Sequence, residues 1–155
     1  MANRSVSIIL PTYNESGNIA KLVGAVAENI PPGWDYEILV VDDNSPDDTL
    51  GAVTRNFGND PHVVSVLRTT DRGFAKSIRA GIERATGEQI IVMDSDLTHD
   101  PIEIPKLDAH AGSGAAGGEV KDVGAKFGGH GKKVPMKLAN HTKISRTIIK
   151  LSRSP

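Results

Sequence analysis

The chain of 155 residues contains no cysteine. This absence excludes a disulfide framework, a thiolate metal site and a cysteine nucleophile, and it is compatible with a reducing compartment. Long apolar runs are also missing, since no stretch approaches the roughly 18 apolar residues of a membrane-spanning helix. The first residues lack the apolar core of a secretory signal peptide. With its length, the composition predicts one globular domain that can bury a substantial core.

Acidic residues are missing from the C-terminal segment. Residues 1–122 hold all 19 acidic and 10 of the 18 basic residues, a net charge of -9 there and +8 afterwards. A basic segment on an acidic domain favours an anionic partner such as a lipid phosphate or a membrane surface, although a solvated tail is an alternative. Phe127 is the one aromatic residue after Phe74. Because an aromatic platform is lacking, we expect no nucleic-acid partner.

An apolar run at residues 90–93 ends in two carboxylates, Asp94 and Asp96. A run without alternation predicts a strand buried on both faces, as in a parallel sheet. The two aspartates share one face of an extended chain. Paired carboxylates suit Mg²⁺ or Mn²⁺, which can clamp a diphosphate. The alternative interpretation is a polar turn between a strand and a helix.

Further apolar runs predict strands that alternate with helices. Strands are expected at 6–10, where Pro11 would end the strand, and at 36–41 and 62–67. Helices are expected at 17–29, at 45–58 with Ser45 as N-cap and Gly58 as left-handed C-cap, and at 74–85 and 100–110. This alternation predicts an α/β fold with a mostly parallel, Rossmann-like sheet and helices on both faces.

The last part of the chain has a weaker pattern. Residues 120–127 could form a fifth strand, and from about 136 the apolar spacing of Ile144, Ile148 and Leu151 is helical. Basic residues gather opposite that stripe, so we expect a basic amphipathic helix that lies on an anionic membrane surface or packs on the sheet. Accordingly, we expect the chain to divide into an α/β domain, 1–127, and a basic C-terminal helix segment on a membrane surface, 128–155.

Polar side chains follow three of the predicted strands at the edge where open α/β sheets bind ligands. They are Tyr13, Asn14 and Glu15 after the first strand, Asp42 and Asp43 after the second, and Asp94 and Asp96 after the fourth. Carboxylates can accept hydrogen bonds from a base or a ribose hydroxyl, but they bind phosphates only through a metal ion. The pattern therefore predicts a site for a nucleotide with a divalent cation.

Five segments carry a family resemblance. They are Ile-Ile-Leu-Pro-Thr-Tyr-Asn-Glu at 8–15, Glu-Ile-Leu-Val-Val-Asp-Asp-Asn-Ser-Pro-Asp-Asp-Thr at 37–49, and the segments 72–82, 85–87 and 91–101. Together they resemble the family 2 glycosyltransferases, and within them the dolichol- or polyprenyl-phosphate mannosyltransferases. The resemblance implies a GT-A fold, a nucleotide-sugar donor, Mg²⁺ or Mn²⁺ as cofactor, and inversion of the anomeric centre. It also implies that the chain is C-terminally short for the family.

The resemblance assigns roles to individual residues. The nucleotide sugar would be bound by Pro11, Tyr13, Glu15, Val41, Asp43, Asp94, Ser95 and Asp96. Asp94 and Asp96 would be the metal ligands of an Asp-Xaa-Asp motif. The catalytic residues would be Asp96, Lys126 and Arg146. Lys126 stands where the family usually has arginine, and Arg146 would lie near the lipid phosphate.

The implied reaction moves a hexose onto a polyprenyl or dolichyl phosphate. Mannose from GDP-mannose is favoured over a UDP-sugar, and the enzyme would act at the cytoplasmic face of a membrane as a peripheral protein. One alternative is a non-catalytic nucleotide-binding fragment of the same fold. The other is a phosphoacceptor receiver domain. Such a domain should have its acidic pair after the first strand, whereas Asp42 and Asp43 follow the second predicted strand.

Overall fold

The computed structural model describes residues 4–95, 101 and 104–105, and the course of the backbone at 137–140 and 147–150. Within these residues six strands form one sheet of order β3-β2-β1-β4-β6-β5. The elements are β1 (Ser5–Thr12), α1 (Ile19–Glu28), β2 (Asp35–Asp42), α2 (Thr49–Phe57), β3 (Val63–Leu67), α3 (Phe74–Arg84), β4 (Gln89–Val92), β5 (Lys137–Asn140) and β6 (Thr147–Lys150). Strands β1 to β4 pair in parallel, and β6 pairs with β4 and β5 in antiparallel fashion. The predicted mostly parallel α/β sheet is therefore confirmed.

Helices cover both faces of the sheet. On one face, apolar side chains of β1 and β2, such as Ile8 and Val40, pack against α1 and α2. On the other face, Ile9 and Leu39 pack toward α3, which contributes the half-buried Ile78 and Ile82. Successive strand residues point to opposite faces, so a strand between two helix layers must be apolar throughout. This explains why the first two predicted strands show no alternation.

Pro11 lies inside β1, which continues to Thr12, so the prediction that this proline ends the strand is wrong. Backbone groups alternate sides along a strand, and Ile9 and Pro11 therefore face the same neighbour, β4. The carbonyl oxygen of Ile9 accepts a 3.0 Å hydrogen bond from the N–H of Met93, beyond the last registered pair, Ile9 with Val92. The missing N–H of Pro11 therefore costs no hydrogen bond, because pairing between β1 and β4 has already ended at this position.

The start of α2 also differs from the prediction. The helix begins at Thr49 with Asp48 as N-cap, and not at Ser45. The N–H and hydroxyl of Ser45 donate instead to the carboxylate of Asp42, at 2.8 and 2.5 Å. The hydroxyl oxygen that would cap a helix accepts the N–H of Asn14 instead, at 2.9 Å, so these bonds hold Ser45 in a turn before the helix. Gly58 has a φ of -60°, so it is not the left-handed cap that was expected.

The described residues of the C-terminal segment are strands, so the predicted helix is wrong at these positions. Strand β6 pairs with β4, with Ile149 opposite Ile90. Residues 147–149 are all β-branched, which favours a strand, and pairing protects the edge that β4 would otherwise expose. The predicted strand at 120–127 lies outside the described residues, as does most of the predicted helix at 100–110. The division of the chain at residue 127 stays a prediction.

Candidate functional site

A pocket of about 380 Å³ opens at the carboxyl edge of β1, β2 and β4. Its lining residues are Pro11, Thr12, Tyr13, Glu15, Asp43, Phe74, Ser77, Asp94 and Ser95. They come from the end of β1 and the loop after it, the residues that follow β2 and β4, and the first turn of α3. Open α/β sheets bind ligands at this edge. The lining contains three carboxylates and two large aromatic rings, which suits a ligand with hydroxyl donors and a planar group.

Two exposed aromatic side chains belong to this lining. Tyr13 is 50% exposed and Phe74 is 59% exposed. The guanidinium carbon of Arg72 lies 4.9 Å from the centroid of the Tyr13 ring, within the range of a cation–π contact. Both rings line one pocket, and their exposed faces can stack on a flat heterocycle. The rings therefore favour a nucleobase as part of the ligand.

Asp43 connects the pocket to the loop that precedes α3. One of its carboxylate oxygens forms an ion pair with Arg68, and the other accepts a 2.6 Å hydrogen bond from the N–H of Gly73. The two side chains are only 8% and 11% exposed. Arg68 also donates to the hydroxyl of Ser77, at 2.9 Å, and to the carbonyl oxygen of Asp71, at 2.5 Å. This buried network fixes the start of α3, and hence Ser77, beside Asp43.

The loop between β1 and α1 is bound by side chains of the turn between β2 and α2. Its three consecutive N–H groups, at residues 14–16, each donate to a side chain of that turn or of the first residue of α2. The acceptors, in the order of the donors, are Ser45 Oγ at 2.9 Å, Thr49 Oγ1 at 3.0 Å and Asp47 Oδ2 at 2.9 Å. Tyr13 and Glu15 therefore enter the pocket from a loop of defined conformation.

Asp94 is one of three carboxylates in the pocket lining and is one of the two predicted metal ligands. It follows β4 and lines the pocket, while Asp96, the other predicted ligand, lies outside the described residues. Within the described ranges there is no group of three or more His, Cys, Asp or Glu side chains placed to hold a metal. Mg²⁺ and Mn²⁺ sites for nucleotides use one or two carboxylates, and substrate phosphates complete the coordination. A carboxylate that lines the pocket therefore fits such an ion.

The family model described as glycosyl transferase family 2 matches residues 7–153. The chain belongs to this family. The match confirms the resemblance noted from the five sequence segments, and it shows that the alternative of a receiver domain is wrong. The pocket therefore belongs to a glycosyltransferase domain, and it lies at the carboxyl edge of that domain's parallel strands.

The names of two curated relatives each contain a lipid phosphate and a transferase activity. The domain is 41% identical over 102 residues to the dolichol-phosphate mannosyltransferase of Pyrococcus furiosus, which covers 66% of this chain and 28% of that protein. It is 38% identical over 113 residues to an undecaprenyl-phosphate 4-deoxy-4-formamido-L-arabinose transferase of Klebsiella pneumoniae, covering 72% of this chain and 35% of that protein. The glycosyltransferase domain thus spans about a third of the length of these relatives.

Solved structures show the same fold. A mannosyltransferase from Pyrobaculum calidifontis, in complex with GDP-Man and Mn²⁺, is 33% identical with a TM-score of 0.56, over 62% of this chain and 28% of that one. The glucosyl-3-phosphoglycerate synthase of Mycobacterium tuberculosis, 21% identical with a TM-score of 0.58 over 70% of this chain and 39% of that one, shares the fold. Among the described helices of the glycosyltransferase domain, none is long and apolar enough to cross a membrane.

The structure brings together six of the eight predicted nucleotide-sugar-binding residues. Those in the pocket lining are Pro11, Tyr13, Glu15, Asp43, Asp94 and Ser95. Val41 does not line the pocket, because its side chain is fully buried in the core beneath α3. The remaining site residues of the glycosyltransferase domain, Asp96, Lys126 and Arg146, lie outside the described residues. The roles assigned to all of these residues stay predictions.

Three lining residues were not among the predicted ones. They are Thr12, Phe74 and Ser77. Phe74 had a usable signal, since a large aromatic residue opens a helix that follows a strand at the ligand edge. Ser77 had no such signal, because its place depends on the contact between Arg68 and Asp43 across 25 residues of chain.

Proposed function

We propose that this domain binds a nucleotide sugar and a divalent cation and serves a metal-dependent, inverting glycosyltransferase whose acceptor is a polyprenyl or dolichyl phosphate. The observation that supports the proposal most is that Asp94 lines the same pocket as Tyr13 and Glu15. One pocket then offers a stacking ring, a ribose acceptor and a metal ligand. GDP-mannose is the favoured donor, because one relative is named as a mannosyltransferase and one solved neighbour holds GDP-Man.

The nucleoside would be recognised by the loop after β1. The half-exposed ring of Tyr13 can stack on the base. The carboxylate of Glu15 can accept hydrogen bonds from the ribose hydroxyls, as an acidic residue does in dinucleotide-binding folds. The side-chain amide of Asn18 donates to Glu15 Oε2 at 3.2 Å, which orients that carboxylate. Pro11 and Asp43 would complete the base and ribose pocket.

The diphosphate would be bound next to Asp94. Asp94 and Asp96 would hold Mg²⁺ or Mn²⁺, which would supply positive charge beside the departing nucleoside diphosphate. Asp94 is well placed for this role because the next residue, Ser95, is buried and hydrogen-bonded to β1. A ligand on an anchored turn loses little freedom on binding, so its contribution to affinity is larger.

The reaction is a displacement at the anomeric carbon of the sugar. A phosphate oxygen of the lipid acceptor forms the new bond to that carbon, and the bond to the nucleoside diphosphate breaks on the opposite side, which inverts the centre. The acceptor phosphate is already ionised, so no strong general base is needed, and the protein acts mainly by positioning. Lys126 and Arg146 would bind the acceptor phosphate, and the enzyme would act peripherally at the cytoplasmic face of a membrane.

A second candidate function is nucleotide-sugar binding without turnover. This function needs only the pocket at the carboxyl edge of the sheet, whose lining residues all lie between Pro11 and Ser95. A transfer assay separates the two candidates. The chain is incubated with radiolabelled GDP-mannose or UDP-glucose, Mn²⁺ and a polyprenyl phosphate in detergent, and label is counted in the lipid extract.

Labelled lipid with an inverted anomeric centre, absent with Asp94→Asn, would support the transferase. Nucleotide binding without labelled lipid would support the binding fragment. Neither binding nor transfer with any donor would contradict both.

A further inference from the structure

The pocket loop of residues 13–16 is shaped by side chains and not by backbone pairing with its neighbour. We propose that Asp47, on the turn between β2 and α2, and Thr49, the first residue of α2, are positioning residues that set the conformation of this loop and thereby place Tyr13 and Glu15 for the nucleotide. The inference rests on the proposed function and adds two residues that do not line the pocket. Its basis is the ladder of hydrogen bonds from the N–H groups of residues 14–16.

Asp47 joins the loop to the first residue of α2. Its Oδ1 accepts hydrogen bonds from the N–H of Thr49, at 3.1 Å, and from the Thr49 hydroxyl, at 2.5 Å. Its Oδ2 accepts the N–H of Ser16 at 2.9 Å. Burial acts to raise the pKa of Asp47, but the hydrogen bonds from Thr49 and Ser16 outweigh it and lower that pKa. The carboxylate is therefore held in its ionised form, which is the stronger acceptor.

Thr49 is the central contact of the ladder. The residue is fully buried, and its hydroxyl oxygen accepts the N–H of Glu15 at 3.0 Å while its proton goes to Asp47. The bond to Asp47 thus orients the Thr49 hydroxyl, and this hydroxyl in turn orients the N–H of Glu15. A valine at this position would keep the shape but lose the oxygen, so the N–H of Glu15 would have no acceptor there.

The backbone conformations show why the ladder is needed. Asn14, Asn44 and Asp48 all have left-handed φ values, of 59°, 59° and 63°. Asn and Asp adopt these conformations more readily than other non-glycine residues, and surrounding hydrogen bonds determine where they do so. Asn14 lies between Tyr13 and Glu15, so relaxation at this residue would move both pocket side chains. The ladder therefore acts on nucleotide affinity through the geometry of the loop.

The test compares three variants by two measurements. Thr49→Val removes the acceptor, Thr49→Ser keeps it, and Thr54→Val makes the same change on the exposed side of α2, where the hydroxyl bonds only to Leu50 O within the helix. Amide hydrogen exchange is measured by NMR at residues 14–16, and nucleotide affinity by titration with GDP and UDP in Mn²⁺. Thr49→Val should speed exchange at Glu15 and weaken nucleotide binding, each by about tenfold, while the other two variants resemble the wild type.

The possible results separate a positioning role of Thr49 from a purely structural role and from failure of the proposed function. Wild-type exchange and affinity in Thr49→Val would overturn the inference, and so would exchange that is faster throughout the sheet, because Thr49 would then only stabilise the fold. Faster exchange confined to residues 14–16, in a chain that binds neither nucleotide, would uphold the positioning of the loop and contradict the proposed function. If Thr49→Val does not fold, Asp47→Ala removes the acceptor of the Ser16 N–H at a half-buried site and takes its place.

Discussion

The hydroxyl of Ser95 donates a 3.0 Å hydrogen bond to the carbonyl oxygen of Pro11. The bond joins the turn after β4 to the end of β1 at a point where the two strands no longer pair. It therefore holds the residue that precedes Ser95, Asp94, close to the residues that follow Pro11. The metal ligand and the nucleoside loop of the proposed site depend on this contact for their relative position.

Asp94→Asn should abolish the gain in nucleotide affinity that Mn²⁺ produces and leave metal-free affinity unchanged. Loss of a partner that only orients a metal ligand already costs about 10- to 100-fold in metal affinity, so loss of a ligand should cost at least about tenfold. Calorimetric titration with and without Mn²⁺ measures the effect. Asp35→Asn, at the exposed start of β2 on the opposite edge, is the matched charge control. Equal metal dependence in Asp94→Asn and the wild type would contradict the assignment.

Arg68→Met should destabilise the fold strongly. It would leave the carboxylate of Asp43, 8% exposed, without its cation, and breaking one side of such a buried pair costs on the order of 3–5 kcal/mol. Urea denaturation gives the free energy of unfolding. Arg55→Met, which breaks the exposed ion pair with Asp48, should cost no more than about 1 kcal/mol. Similar losses in the two variants would show that the Asp43 pair does not anchor the start of α3.

Gly87→Ala tests the packing of the turn before β4 on β1. A Cβ at Gly87 would lie 2.7 Å from both Ser7 N and the carbonyl carbon of Val6. Because these are backbone atoms of a central strand, the turn must shift, and we expect a loss of about 1–3 kcal/mol in the free energy of unfolding. In Gly17→Ala the new Cβ has no atom within 4 Å, so the change should stay within about 1 kcal/mol. Indistinguishable unfolding curves would contradict this packing.

Glu37 should make stability depend on pH in the acid range. Burial acts to raise its pKa, but hydrogen bonds from Ser7 and Thr86 outweigh this and lower it below the ordinary 4.5. A lowered folded-state pKa gives stability that is present above pH 4.5 and lost as pH falls through the folded-state value. Glu37→Gln should therefore flatten the stability curve below pH 4.5, measured by thermal unfolding, whereas Glu88→Gln, an exposed neighbour, serves as the charge control. A wild-type curve in Glu37→Gln would refute the assignment.

Much of the parallel half of the fold could be predicted from the sequence, because β1, β2 and β4 are buried on both faces and their apolar runs need no partner to be recognised. Two of the errors arose where a long-range contact decides. Pro11 is tolerated in a strand only because of where the pairing with β4 ends. Likewise, residues 147–150 combine helical spacing with β-branched side chains, and the open edge of β4 selects the strand.

The same limit applies to the candidate site. Tyr13, Asp43 and Asp94 could be predicted because strand ends meet at one edge of a parallel sheet. Ser77 could not, since the buried pair of Arg68 and Asp43 determines where α3 begins to line the pocket. Asp47 and Thr49 carried no signal of their contact with residues 15 and 16, because that contact depends on how two loops lie against each other.

Calorimetric titration of the wild-type chain with GDP and with UDP, each with and without Mn²⁺, tests the central claim most directly. We expect one nucleotide, with GDP favoured, to bind with one-to-one stoichiometry and to bind more tightly when Mn²⁺ is present. Absence of binding to both nucleotides, with and without Mn²⁺, would contradict the claim that this pocket is the donor site of a glycosyltransferase.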